Sequence, residues 1–86
     1  MSTAFDVAVE VSLRDGIADP EGLTIERALP ALGFSGVSGV RVGKSLRFVV
    51  EASDEDEART QVEAMCERFL ANPVIEDVEI YLSPAS

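Results

Sequence analysis

The chain has 86 residues, 47% of them hydrophobic and 27% charged, with a net charge of −9. That is room for one globular domain and too apolar for a disordered tail, and no run approaches the roughly 18 apolar residues of a membrane helix. With no His, no Trp and a single Cys, the composition excludes a His-dependent triad, a Cys/His metal cluster and an intrachain disulfide.

From Phe5 the chain alternates strictly. Phe5, Val7, Val9, Val11 and Leu13 point one way, and Asp6, Glu10 and Ser12 the other, the period of a half-buried strand. Arg14-Asp15-Gly16 ends it. Asp19-Pro20-Glu21-Gly22 then starts a helix: Asp19 can cap, Pro20 suits the first helical position, and Glu21 favours the positive helix end. Ile25, Leu29 and Leu32, with Ala28, form one apolar stripe. Gly33 is expected to close the helix in a left-handed cap, with Phe34 packing back on Leu29 as in a Schellman motif. Pro30 removes the amide that would bond the Glu26 carbonyl, so irregular geometry is expected over residues 28–32.

Val37–Val42 and Ser45–Ala52 read as two further strands, joined by a hairpin at Val42-Gly43-Lys44-Ser45 in which Gly43 supplies a positive φ. Val40, Val42, Leu46, Phe48 and Val50 share one face; Arg41, Arg47, Val49 and Glu51 share the other. Ser53 is expected to cap a second helix whose first turn holds Asp54-Glu55-Asp56-Glu57, where the helix dipole favours carboxylates. Its buried stripe is Ala58, Val62, Met65, Cys66, Phe69 and Leu70, and Asn72-Pro73 stops it. Val74–Leu82 is the last strand, with Val78, Ile80 and Leu82 inward, and residues 83–86 form a tail.

The order β-α-β-β-α-β predicts an α+β, ferredoxin-like domain spanning residues 1–86 with an ordered core over about 5–82. Four antiparallel strands carry two helices on one face. By parity, Val37, Val49 and Tyr81 lie on the opposite face, and together they suggest that it is covered in a homo-oligomer. Charge is uneven: residues 1–50 hold six acidic and five basic side chains, residues 51–86 ten acidic and two basic. Nucleic acid and anionic membranes would meet a repulsive field. The N-terminus lacks a basic stretch followed by an apolar run, and with one Cys a cytoplasmic location is expected.

Candidate chemistry is sparse. Cys66 sits on an apolar stripe and reads as a small core hydrophobe. Asp54–Glu57 reads as a solvated helix cap rather than a cation site. Gly33, Gly36, Gly39 and Gly43 form no phosphate loop. Arg41, Lys44 and Arg47 are the only local basic excess, either solvated surface or a docking patch for an acidic partner or a phosphate. Asn72-Pro73 is either a plain helix stop or a rigid exposed corner used in contact. The residues by themselves describe a small, acidic, oligomeric module without catalytic equipment; a metabolite-binding regulatory module fits that description.

Five blocks narrow this: Asp19-Pro20-Glu21-Gly22, Ile25-Glu26-Arg27-Ala28-Leu29, Leu32-Gly33-Phe34, Val40-Arg41-Val42-Gly43-Lys44 and Leu70-Ala71-Asn72-Pro73-Val74-Ile75-Glu76. In order and spacing they resemble the PurS family over about residues 5–82. That family is the small accessory subunit of phosphoribosylformylglycinamidine (FGAM) synthase, an ATP- and glutamine-dependent ligase of purine synthesis. The resemblance implies a non-catalytic, homo-oligomeric subunit that bridges a synthetase (PurL) and a glutaminase (PurQ) and supports ammonia transfer. It implies no cofactor on this chain, with ATP, magnesium and glutamine used by the complex. Carried over by residue, Arg41, Gly43, Lys44, Asn72, Pro73 and Glu76 are expected near partner contacts, with Arg47 added from the basic patch.

Overall fold

A computed structural model describes residues 2–85. Strand β1 (Thr3–Leu13) is followed by helix α1 (Pro20–Ala28), strand β2 (Gly43–Ala52), helix α2 (Glu55–Met65) and strand β3 (Glu76–Pro84). The fold is α+β. The sheet has three strands in the order β2-β1-β3, both pairs antiparallel. The alternation read in β1 sets its place at the centre. Phe5, Val7, Val9 and Val11 are all buried, and their register partners Val50, Phe48, Leu46 and Lys44 on β2 extend the same face. Helix α2 lies across this face and adds Ala58, Val62 and, just beyond its end, Cys66 to one apolar core. Cross-strand pairs of β-branched and aromatic residues are the stabilising unit of such a sheet.

Helix starts follow the residues that specify them. The Asp19 carboxylate accepts from the Gly22 amide at 2.9 Å, with Pro20 in the first turn. At α2 the cap is Asp54 rather than Ser53: Asp54 Oδ1 accepts from the Glu57 amide at 2.8 Å, while the Glu57 carboxylate reaches back to the Ser53 amide and hydroxyl. The acidic run is thus a capping arrangement shifted by one residue, because the Asp54 carboxylate fills the capping role. Around Pro30 the helix tightens into a 3-10 turn over Leu29–Leu32. Gly33 then adopts φ 97°, the Gly33 amide donates to Pro30 and the Phe34 amide to Leu29. The Schellman hydrogen bonds form as expected, although Phe34 itself is mostly exposed.

The fourth strand does not form. Residues 37–42 are irregular, and Val37 lies in a loop rather than on the outer sheet face. The physical reason is that other acceptors hold this backbone: the Val40 amide donates to Glu26 and the Val42 amide to Asp19. Gly43 is therefore not a hairpin residue with positive φ. It begins β2, where a Cβ would sit 2.6 Å from the Val11 carbonyl oxygen, so the glycine permits close strand approach. Strand β3 starts at Glu76, two residues later than expected, and continues through Ser83 and Pro84, beyond the expected end of the ordered core. The Ala85 amide also bonds the Ala4 carbonyl.

Beta1 and β2 thus form one long hairpin, and residues 14–42 project from its tip as an arm around α1. The radius of gyration is 16.9 Å and the longest dimension 56 Å, whereas a compact domain of this length has about 12 Å. The apolar core contains no residue of the arm, and Gly22 is the only buried residue of α1.

Candidate partner interface

Two of the expected contact blocks meet at one end of the sheet. Beta1 ends at Leu13 where β2 begins and β3 begins, so Arg41, Gly43 and Lys44 reach the same end of the sheet as Asn72, Pro73 and Glu76, on the opposite side of β1. Arg14 ties them together. Its guanidinium donates to the Pro73 carbonyl at 2.6 Å and the Glu76 carbonyl at 3.4 Å, and its amide bonds the Ile75 carbonyl. Arg14 Nε also lies 3.3 Å from Asp77 Oδ1, with both side chains well exposed, so this ion pair orients more than it stabilises. In the sequence Arg14 only ends a strand; its carbonyl partners lie some 60 residues away, and no local pattern signals them.

Asp19 is the second organiser. It caps α1, accepts from the Val42 amide at 2.8 Å and lies 3.8 Å from the Arg41 guanidinium. Arg41 in turn donates to the Leu13 and Arg14 carbonyls. The Gly22 and Val42 amides, with Arg41 adding to them, hold the Asp19 carboxyl below its ordinary value of 3.8 against some opposition from burial. A depressed carboxylate contributes stability that is fully present above its ordinary value and is lost as pH falls through the native value. Asp19→Asn is therefore expected to lower the melting temperature at neutral pH, and the gap to the wild type should narrow on acidification below about pH 4. Melting curves across that range check it; a gap that widens on acidification contradicts the assignment.

Asn72 and Glu76 build the corner that Pro73 stiffens. Asn72 Oδ1 accepts from the Val74 amide, and Glu76 Oε1 accepts from the Asn72 amide at 2.7 Å. Ahead of this corner α2 does not stop as an α-helix. Cys66–Leu70 forms a π-turn closed by the Ala71 amide on the Cys66 carbonyl. One extra residue per turn carries Leu70 and Ala71 toward the core and turns Phe69 out, so Phe69 leaves the buried stripe expected for it and is 85% exposed. Val74 at the same corner is 77% exposed. Two large apolar side chains on a hydrogen-bonded corner are features of a contact site, and π-turns often mark such sites. The α-helical period gave no warning of either.

The remaining candidates stand elsewhere. Arg47 and Tyr81 flank Ala8 on the outer sheet face, with Val49 one pair along, opposite Asp6. Val49 and Tyr81 are both more than half exposed. The Tyr81 hydroxyl donates to Glu79 at 2.6 Å, which, with the Glu79 charge, pushes its pKa up and keeps it protonated. Burial and, secondarily, Glu63 push the Cys66 thiol up, which suits a packing role rather than a nucleophile. Among the described residues no His, Cys, Asp and Glu side chains gather into a metal cage, and no helix is long and apolar enough to cross a membrane.

Three comparisons bear on this geometry. The family described as PurS, phosphoribosylformylglycinamidine (FGAM) synthase, matches residues 6–84. A Methanocaldococcus jannaschii protein named phosphoribosylformylglycinamidine synthase subunit PurS is 42% identical over 76 residues, covering 88% of this chain and 92% of its own. The Thermotoga maritima PurS subunit crystal structure superimposes with a TM-score of 0.85 at 36% identity, over 96% of this chain and 95% of that one. A chain of the Thermotoga maritima PurLQS structure does so with a TM-score of 0.84 at 38% identity, over 93% and 98%.

Proposed function

This chain belongs to the PurS family, and from that premise we propose that it is the non-catalytic subunit of an FGAM synthase complex. In that ligase of purine biosynthesis it joins a PurL synthetase to a PurQ glutaminase. The observation that carries this reading is the family match over nearly the whole chain, residues 6–84; the similarity to a chain of PurLQS supports the choice of partners. The side chains brought together at the sheet end offer charge and hydrogen bonds to a partner. The subunit's contribution is then positional: held in register, the two partners pass ammonia without losing it to water, an effect of local concentration and sequestration. In this reading the chain carries no cofactor, while ATP, magnesium and glutamine serve the partner subunits. It works in the cytoplasm as a homo-oligomer. Its fold is ferredoxin-like in element order, with the second strand replaced by the loop at the arm's base.

The docking surface in this reading is the corner formed by Asn72, Pro73 and Glu76, with exposed Phe69 and Val74 beside it and Lys44 across the sheet end. Arg41 supports that end from within, since its guanidinium already bonds Leu13 and Arg14. Lys44→Glu is expected to slow association several-fold, more at low than at high salt, because a rim charge acts mainly on encounter. Association rates at two ionic strengths check it; equal rates for both chains at low salt remove Lys44 from the surface.

Gel filtration of this chain with the cognate PurL and PurQ subunits tests the whole reading. Co-elution of all three as one species is the expected result. Separate elution, with the chain stabilised against heat by a small metabolite alone, would instead favour a regulatory module.

A further inference from the structure

We propose that the open edge of β3 takes an added strand from one of the two enzyme subunits this chain joins, an extended segment in which apolar and basic residues alternate. The inference rests on the subunit reading above and names the partner chemistry that this side of the docking surface fits.

The register defines the edge. The Arg14 amide donates to the Ile75 carbonyl and the Ala85 amide to the Ala4 carbonyl, so the odd-numbered residues of β3 turn their amides and carbonyls to β1. Val78, Ile80 and Leu82 therefore turn theirs outward. No strand flanks β3 on that side, and among the described residues no other backbone group bonds these three. An unpaired edge is a template for a further strand, and main-chain hydrogen bonds supply the affinity of such pairings.

Beside the edge, between β3 and the α2 helix with its π-turn, runs a groove of about 490 Å³. Cys66, Val78 and Ile80 give it an apolar floor. Pro73 and Glu76 of the corner also line it, so it continues the docking surface described above. In an added strand the residues opposite Val78 and Ile80 point to this floor, and those between them point to the outer sheet face.

Charge sets the other half of the pattern. On the outer face Glu79 stands directly opposite Glu10, a like-charge pairing that weakens a sheet. Among the described residues neither carboxylate is paired with a cation; the Tyr81 and Ser45 hydroxyls donate to them instead. Asp77 follows Glu79 on the same face, two residues toward the corner. A Lys or Arg of the added strand beside Glu79 relieves this repulsion. In the groove, Glu63 and Glu67 of α2 outnumber Arg59. A second copy is the wrong occupant: residues 51–86, which supply both α2 and β3, hold ten acidic and two basic side chains, so two such edges repel.

Two measurements test this. In hydrogen exchange, the Val78, Ile80 and Leu82 amides of the chain alone are expected to exchange fast. On addition of the cognate synthetase and glutaminase subunits they should slow by about tenfold or more. Glu79→Lys is expected to weaken binding of those subunits about tenfold at low salt and less at high salt. It should melt no lower than the wild type, because Lys faces Glu10 without repulsion. Slow exchange of the three amides in the chain alone assigns the edge to a second copy and overturns the proposal. So does a complex that leaves the three amides fast, or equal affinity for Glu79→Lys at low salt; in both cases the subunit reading stands. Absence of any complex overturns both.

Discussion

A Val9→Asp chain is expected to show no cooperative thermal transition, while Val49→Asp melts close to the wild type. Both substitutions exchange the same residues within one sheet. Val9 has no exposed surface and sits in the central strand beneath α2, whereas Val49 points to the other face and is 59% exposed. An ionised carboxylate at Val9 would cost several kcal/mol even after relaxation, against about 4–13 kcal/mol for the whole domain. It would also remove packing in a core of nine buried residues among those described. Circular dichroism melts of the two variants check this. A cooperative melt for Val9→Asp near the wild-type temperature would mean that the register of β1 is wrong by one residue, since a slip of one exchanges the two faces.

The second large effect is expected at the corner. Phe69→Asp should raise the dissociation constant for the synthetase–glutaminase partners by about 10- to 100-fold, with the melting temperature unchanged. Phe69 makes little contact with its own core, so its removal leaves the fold intact. Fully burying such a ring is worth about 1.5–3 kcal/mol, which converts to that range of affinity. Val74→Asp should add to the loss, because clustered apolar anchors at the centre of an interface carry most of its energy. Calorimetric titration measures both. An unchanged affinity for Phe69→Asp would move the docking surface away from the π-turn and leave the Lys44 side of the sheet end as its place.

The elements legible in the sequence were those specified by neighbours a few residues apart. Strict alternation placed β1, Asp19-Pro20 placed the start of α1, and Pro30 with Gly33 placed its tightened end. Each depends on a local period or cap. What was not legible depends on partners far away in the chain. Residues 37–42 have a strand-like composition, yet the Glu26 and Asp19 carboxylates hold the Val40 and Val42 amides that an added strand would need. In the sequence Gly43 suggests a turn with positive φ, whereas in the fold it leaves space for the Val11 carbonyl. Phe69 fits the helical stripe until one π-turn rotates it outward. At the site, the two blocks carried over from the family do meet at one end of the sheet. The residues that join them, Arg14 and Asp19, act through contacts between distant segments and have no signature of their own.

In its proposed role this chain assembles two enzymes so that ammonia passes between them. The most direct measurement is FGAM synthase turnover by the cognate PurL and PurQ subunits, with and without this chain, using glutamine and then ammonium as nitrogen source. Glutamine-dependent turnover is expected to collapse without the chain, while ammonium-dependent turnover falls much less. Equal turnover with glutamine whether or not the chain is present would contradict it.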